Sequence, residues 1–337
     1  METNRRREGP RKKAVQRQPA LFPANQTQTK PQIPNHSRSR SNPVNEREAF
    51  ELQAHRGARA FFPENSVQAF CHAATLGVRV VELDLVVSKD HEIVVSHDPW
   101  LSAPLCSDPQ GEPLSQEDRW RHIIYEMPYT DIASFDCGRV HPSFPQQARI
   151  VTSKPLLSTV FREVDALMAH AAPYAKMIYN LEIKSWPDKD GQFHPPPADY
   201  AELVVHLVEE AGLSSRVRIQ SFDERVVREA WRLDPALCYG LLIDQLKLDA
   251  GTLDRLLTTL GFIPAYLNPH HSLVDRELTH LLHERGIRMI PWTVNAPEEM
   301  VAMQQIGADG IITDYPELAI ALFSGKAPLF SGEPAAH

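Results

Sequence analysis

The strongest constraint on what this chain can fold into is a rhythm that starts near Glu51 and repeats almost to the C-terminus. Short β-branched runs alternate with amphipathic stretches, and several of those stretches stop at a glycine shortly before the next run. Val67, Phe70, Cys71 and Ala74 recur at helical spacing before Gly77, and Leu203, Val204, Leu207, Val208 and Ala211 do so before Gly212. Leu278, Leu281 and Leu282 precede Gly286, while Met300, Val301 and Gln304 lead into Ile306 and Gly307. Glycine takes the left-handed cap without steric cost, so these positions predict helix ends. Strand, helix and strand in recurrence describe a parallel sheet covered by helices.

Candidate strands fall at 51–55, 79–87, 177–184, 216–221, 237–243, 264–268, 287–294 and 309–313. Eight such strands predict an α/β fold of the closed (β/α)₈ TIM-barrel type. A doubly wound sheet would want a glycine-rich phosphate loop after the first strand, but Gly57 stands alone there. A further apolar run, Ile93-Val94-Val95, follows Val87 after five residues. That is too short for a parallel crossover, so it predicts an antiparallel hairpin. Pairing Val87 with Glu92 would set Glu82 opposite His97. Residues 99–155 then read as a long insertion after the second strand, placed to cap or line a site. Below the barrel mouth, apolar side chains are expected to fill the interior.

Charge divides the chain. Residues 1–45 carry ten Lys or Arg against Glu2 and Glu8, a net +8, so with −8 overall the remainder carries −16. An acidic body repels phosphate backbones, which argues against nucleic acid as a partner of the barrel. The basic, apolar-poor segment 1–45 is expected to be a disordered tail, with the barrel at 46–328 and a short tail at 329–337. No apolar run of ~18 residues is present, so no transmembrane segment is expected. The N-terminus lacks an apolar signal core, which predicts a cytoplasmic protein. The cysteines Cys71, Cys106, Cys137 and Cys238 lie far apart, in neither a zinc-site pattern nor a dense disulfide framework. Cys71 falls on the apolar side of its helix and reads as a small buried hydrophobe.

The chemistry concentrates at strand ends. Glu82 and Asp84 are two apart and share a face of the second strand, as Glu182 and Lys184 share a face of another. Three carboxylates in one closed mouth repel one another unless a positive charge sits between them. All-oxygen ligation suits Mg²⁺ or Ca²⁺ better than zinc. The plainer reading is an ion-pair network with Arg56 and Lys184. His55 ends the first strand and His97 ends the hairpin, a pair suited to taking one proton and giving another. Arg56 can fork onto phosphate oxygens, and Lys184 offers a point charge. His91, His141, His270 and His271 read as structural, with the last two as second-choice site residues.

Seven segments together resemble the glycerophosphodiester phosphodiesterase family. They are His55-Arg56-Gly57, Pro63-Glu64-Asn65-Ser66, Glu82-Leu83-Asp84 with Ser88-Lys89-Asp90, His97-Asp98, Leu181-Glu182-Ile183-Lys184, Pro291-Trp292-Thr293-Val294-Asn295 and Asp309-Gly310-Ile311-Ile312-Thr313-Asp314-Tyr315-Pro316. The resemblance spans about residues 50–325. It implies a barrel with an insertion after the second strand and hydrolysis of small glycerophosphodiesters to sn-glycerol 3-phosphate and an alcohol. Position by position it implies Glu82, Asp84 and Glu182 as metal ligands and His55 and His97 as the acid/base pair. It also implies Arg56 and Lys184 on phosphate and Trp292 against glycerol, although Trp292 alone reads equally as core. Ser66 stands where that family usually has Thr, and either hydroxyl caps a helix. Attack by the glycerol 2-hydroxyl through a cyclic phosphate and direct attack by water would use the same residues. Two rivals remain at this stage: a lyase-like phospholipase D acting on lysophospholipids, and a non-catalytic barrel that binds a ligand. Nothing in the sequence bears on oligomeric state.

Overall fold

The computed structural model describes residues 50–171, 176–245 and 248–324, so the expected tails at 1–45 and 329–337 lie outside the described residues. Its strands are β1 (Glu51–Ala54), β2 (Val80–Val87), β3 (Ile93–Val95), β4 (Ile178–Ile183), β5 (Val217–Ser221), β6 (Cys238–Ile243), β7 (Tyr266–Pro269), β8 (Arg288–Met289) and β9 (Gly310–Thr313). The helices are α1 (Val67–Thr75), α2 (Tyr129–Ile132), α3 (Leu157–Ala171), α4 (Pro197–Glu210), α5 (Glu224–Leu233), α6 (Ala250–Leu260), α7 (Arg276–His283), α8 (Pro297–Ile306) and α9 (Pro316–Ser324). Sheet order runs β8-β7-β6-β5-β4-β2-β1-β9, every step parallel, with β3 antiparallel on β2. The ring closes through the N–H groups of Asp309, Ile312 and Val294, which donate to the carbonyls of Met289, Pro291 and Ile312 at 2.9 Å each. This is the expected (β/α)₈ barrel. Regular strand β8 ends at Met289, short of the expected 294, because Pro291 has no N–H to donate to a ladder.

The punctuation read from the sequence has physical counterparts. Gly77, Gly212, Gly286 and Gly307 all hold left-handed φ values, from +66° to +101°, at the ends of α1, α4, α7 and α8. Ser66 accepts a hydrogen bond from the Ala69 N–H and caps α1, doing the work a threonine would do. Cys71 packs against the main core but remains partly exposed. Among the described residues no helix is long and apolar enough to cross a membrane.

Two expectations are corrected. The hairpin pairs Leu85 with Val95, Val86 with Val94 and Val87 with Ile93, one residue away from the predicted register. Every residue of β2 is buried, so no solvent-exposed face was available to fix the parity of the pairing. The barrel interior below the mouth is not filled by apolar side chains alone: beside an apolar patch of Tyr266, Ile290 and Ile312 it holds polar pairs. Arg218 forks onto Glu51 at 2.6 and 2.8 Å, Asn180 donates to Gln53 at 2.8 Å, and Asn268 donates to Gln220 at 2.6 Å. The main apolar cores lie outside the ring, where Leu83, Leu181, Ile219 and Leu241 on one side and Leu267, Met289 and Ile311 on the other pack beneath the helices.

Insertion 99–155 builds a core of its own. Leu101, Leu105, Ile124, Ile132 and Phe135 pack with Val86 and Val94 on the outward side of the hairpin. Within it Cys106 and Cys137 form a disulfide across 31 residues, a single link rather than a framework. Closing a loop of that size is worth ~3–4 kcal/mol in the chain-entropy picture. Replacing both cysteines by alanine should lower the urea midpoint and open the insertion to protease, and an unchanged cleavage pattern in 99–155 would contradict this.

Gly57 holds the turn after β1 where no other residue fits. Its φ is +83°, and a Cβ there would stand 2.7 Å from the backbone carbon of Ala69 and 2.9 Å from the Phe70 nitrogen. Gly57→Ala therefore combines left-handed strain with a backbone clash and should cost on the order of 3 kcal/mol. Chemical denaturation measures it, and a loss below ~1 kcal/mol would mean that α1 yields easily.

Candidate active site

The parallel register of β2 and β4 sets Asp84 beside Glu182, with Glu82 two residues earlier on the same face. One carboxylate oxygen from each of Glu82, Asp84 and Glu182 lies within 4.8 Å of the others, and all three residues are buried. The convergence expected from the sequence is thus present in the structure. So is part of the ion-pair network that formed the plainer reading. Lys184 Nζ lies 2.9 Å from Asp84 Oδ1 and donates to Glu182 Oε1 at 2.6 Å, while Arg56 Nε lies 3.2 Å from Asp84 Oδ2.

That network leaves one acid short of a partner. Glu82 accepts the Arg56 backbone N–H at 3.0 Å, and among the described residues its only side-chain ion-pair contact is His55 Nε2 at 4.0 Å. Burial, reinforced by Asp84 and Glu182, pushes its pKa well above the ordinary glutamate value. Burial also opposes ionisation of Asp84, but Lys184 and Arg56 outweigh it and hold that carboxyl well below its usual range. For Glu182 burial prevails over Lys184 and the pKa rises. Arg56 itself sits at φ +50°, a conformation uncommon for a side-chain-bearing residue, and this turn aims its N–H at Glu82.

Both histidines are braced in the same way. His55 Nδ1 meets Asp314 Oδ1 at 2.6 Å, and His97 Nδ1 meets Asp98 Oδ1 at 2.9 Å. A carboxylate only accepts, so each Nδ1 carries the proton and each Nε2 is left for other partners. Asp314 is held in turn by Asn295, which donates to its Oδ2 at 2.9 Å. Burial lowers the His55 pKa against the pull of Asp314. Burial followed by Arg56 and Lys184 lowers that of His97, an effect moderated by the 37% of its side chain left in contact with solvent.

His55, Arg56, Glu82, His97, Glu182, Lys184 and Trp292 all line one cavity of about 280 Å³, and Asp84 lies behind it on Arg56 and Lys184. Trp292 is half-buried, its indole N–H donating to the Asn268 carbonyl at 2.8 Å, so it is neither pure core nor a free surface ring. Of the second-choice histidines, His270 packs edge-on against Trp292 at 5.3 Å while His271 faces Glu299 at 3.6 Å. His141 sits 3.5 Å from Arg59, and His91 occupies the hairpin turn at φ +65°.

Sequence reasoning missed a supporting layer. Glu64 binds Arg56 at 2.9 Å and Arg59 at 2.7 Å, and Asn65 donates to Asp84 at 2.8 Å. Glu64 and Asn65 lie inside segment 63–66, whose spacing from the strands was the available signal, whereas Arg59 lies outside every segment of the resemblance. Lys154, a buried lysine from the insertion, carried no such signal.

The Glycerophosphoryl diester phosphodiesterase family profile matches residues 55–318. A glycerophosphodiester phosphodiesterase of Caldanaerobacter subterraneus is 28% identical over 269 residues, covering 80% of this chain and 96% of the relative. The human lysophospholipase D is 44% identical over 295 residues, covering 78% and 82%. A crystal structure of a Silicibacter pomeroyi protein given the same family name superposes with a TM-score of 0.71 at 28% identity, covering 82% of this chain and 93% of that one. With the match running through the strand ends that carry the acidic triad and both histidines, the chain belongs to the glycerophosphoryl diester phosphodiesterase family.

Proposed function

We propose that this protein hydrolyses small glycerophosphodiesters to sn-glycerol 3-phosphate and an alcohol, in a reaction that needs a divalent cation and uses His55 and His97 as the acid/base pair. The observation that carries the reading is the buried Glu82, Asp84 and Glu182 cluster, one positive charge short of balance and opening on the same cavity as both imidazoles. Glu82, Asp84 and Glu182 would hold the cation. Their all-oxygen donor set suits Mg²⁺ or Ca²⁺. When bound, such an ion stabilises negative charge developing on phosphoryl oxygens.

The chain's own groups account for the remaining roles. Arg56 and Lys184 face the cavity and bind the phosphoryl group, and Glu64, pairing with Arg56 on the far side, holds the guanidinium in place. The carboxylate-braced histidines present Nε2, one to take the proton of the attacking hydroxyl and the other to protonate the departing alcohol. Trp292 forms an aromatic wall for the glycerol carbons.

Incubation with glycerophosphocholine, in chelator and after add-back of Mg²⁺ or Ca²⁺, tests this directly. The expected result is glycerol 3-phosphate and choline in the metal arms alone. Equal turnover in chelator would remove the cation from the proposal, and no turnover in any arm by folded protein would remove the activity.

A further inference from the structure

The turn after β1 carries a second arginine into the site. Arg59, three residues beyond Arg56, lines the same cavity as Arg56 and His55. Its nitrogens nonetheless all face protein. Nε lies 2.7 Å from Glu64 Oε2, Nη1 lies 3.6 Å from Asp314 Oδ1 and Nη2 lies 3.5 Å from His141 Nε2, while the flat face of the guanidinium covers the Phe144 ring at 4.8 Å. Asp314 Oδ1 is also the oxygen that meets His55 Nδ1 at 2.6 Å, so Arg59 stands directly behind the brace of one imidazole. Burial opposes ionisation of Asp314, but His55 and Arg59 outweigh it and hold that carboxyl well below its usual range.

The groups that seat Arg59 come from the insertion. The buried Gln147 side chain donates to the Arg59 carbonyl at 2.6 Å and to the Phe62 carbonyl at 3.2 Å, and it accepts the His141 N–H at 2.8 Å. The Ala148 N–H donates to the Phe61 carbonyl at 2.8 Å. Phe144 touches Tyr315 as well as Arg59, with ring centres 6.0 Å apart, and Tyr315 follows Asp314 in the chain. One stretch, 141–148, thus holds the backbone of the arginine by hydrogen bonds and its guanidinium by an aromatic face.

We propose that Arg59 is a positioning residue for the hydrolysis: seated by residues 141–148 of the insertion, it holds Asp314 in the orientation that braces His55. The proposal rests on the hydrolysis proposed above and deepens it. A role in binding phosphate is disfavoured, because each guanidinium nitrogen of Arg59 already faces a protein group and its open face is stacked.

Arg59→Met, Asp314→Asn and the two combined form a double-mutant cycle, assayed on glycerophosphocholine with saturating Mg²⁺ or Ca²⁺. Arg59→Met alone is expected to lower kcat about tenfold while KM changes by less than about threefold. In the Asp314→Asn background the same substitution should lower kcat by less than about twofold, since the brace it serves is already loosened. Arg59→Lys, which keeps a cation beside Asp314, should recover at least about a third of the wild-type kcat. Phe144→Ala removes the seat and leaves the arginine, and it should lower kcat about threefold in the wild-type background alone. It carries the cycle if Arg59→Met does not fold. A folding defect would lower kcat by one factor in both backgrounds, and a lost phosphate contact would raise KM in both; either pattern overturns the proposal. Full kcat in Arg59→Met or in Phe144→Ala overturns it too. Additive losses beside an active wild type remove only the role of Arg59, whereas no turnover by folded wild type removes the hydrolysis on which it rests.

Discussion

Glu82→Gln is expected to lower kcat/KM about a thousandfold or more while raising the stability of the cation-free protein. The two effects share one cause. Glu82 lies in buried surroundings with two other carboxylates, and the neighbouring cations are committed to Asp84 and Glu182. An uncompensated buried charge destabilises the fold, and its neutral isostere relieves that cost, on the order of 1–3 kcal/mol. Losing several kcal/mol of charge stabilisation in the transition state corresponds to the activity loss. Thermal melts in chelator should place the variant above wild type. Saturating Mg²⁺ or Ca²⁺ should then raise wild type by ~3 kcal/mol at a hundred times its Kd, with little effect on the variant. A variant that melts lower in chelator, or responds to the cation as strongly as wild type, would sink the assignment.

Removing the imidazoles separately should expose their division of labour. His55→Ala and His97→Ala are each expected to cut turnover of glycerophosphocholine by about a hundred- to ten-thousandfold, the usual worth of a general acid or base. A p-nitrophenyl diester needs no proton on its departing oxygen. One of the two variants should therefore recover most of its loss on that substrate, and the other should not. Recovery by both, or by neither, would contradict a one-acid, one-base pair. Asp98→Asn and Asp314→Asn, by loosening the Nδ1 braces, should lower kcat more than they raise KM.

How much of this was legible beforehand depended on whether a feature was periodic or relational. The eight parallel strands, the glycine caps and the shared faces of Glu82 with Asp84 and Glu182 with Lys184 follow from spacing alone, and the structure reproduces them. The hairpin register was not legible, because Ile93, Val94 and Val95 are all buried and either parity satisfies an apolar pattern. Ser88 settles it by pairing its N–H with the Glu92 carbonyl at 3.0 Å. The Ser96 N–H bond to the Asp84 carbonyl at 3.0 Å continues this pairing past β3, and His97, next in the chain, lines the cavity. The polar part of the barrel interior was misread because Asn180 pairs with Gln53, and Asn268 with Gln220, across strands distant in sequence. The Cys106–Cys137 link and the Glu64–Arg59 contact are relations of the same kind.

The insertion's private core has a further consequence. Because Leu101, Ile124 and Phe135 rest on the outward side of Val86 and Val94, substitutions there need not propagate into the ring that aligns the acids. Sequence change in this private core can therefore accumulate without disturbing the strand ends that carry the acids.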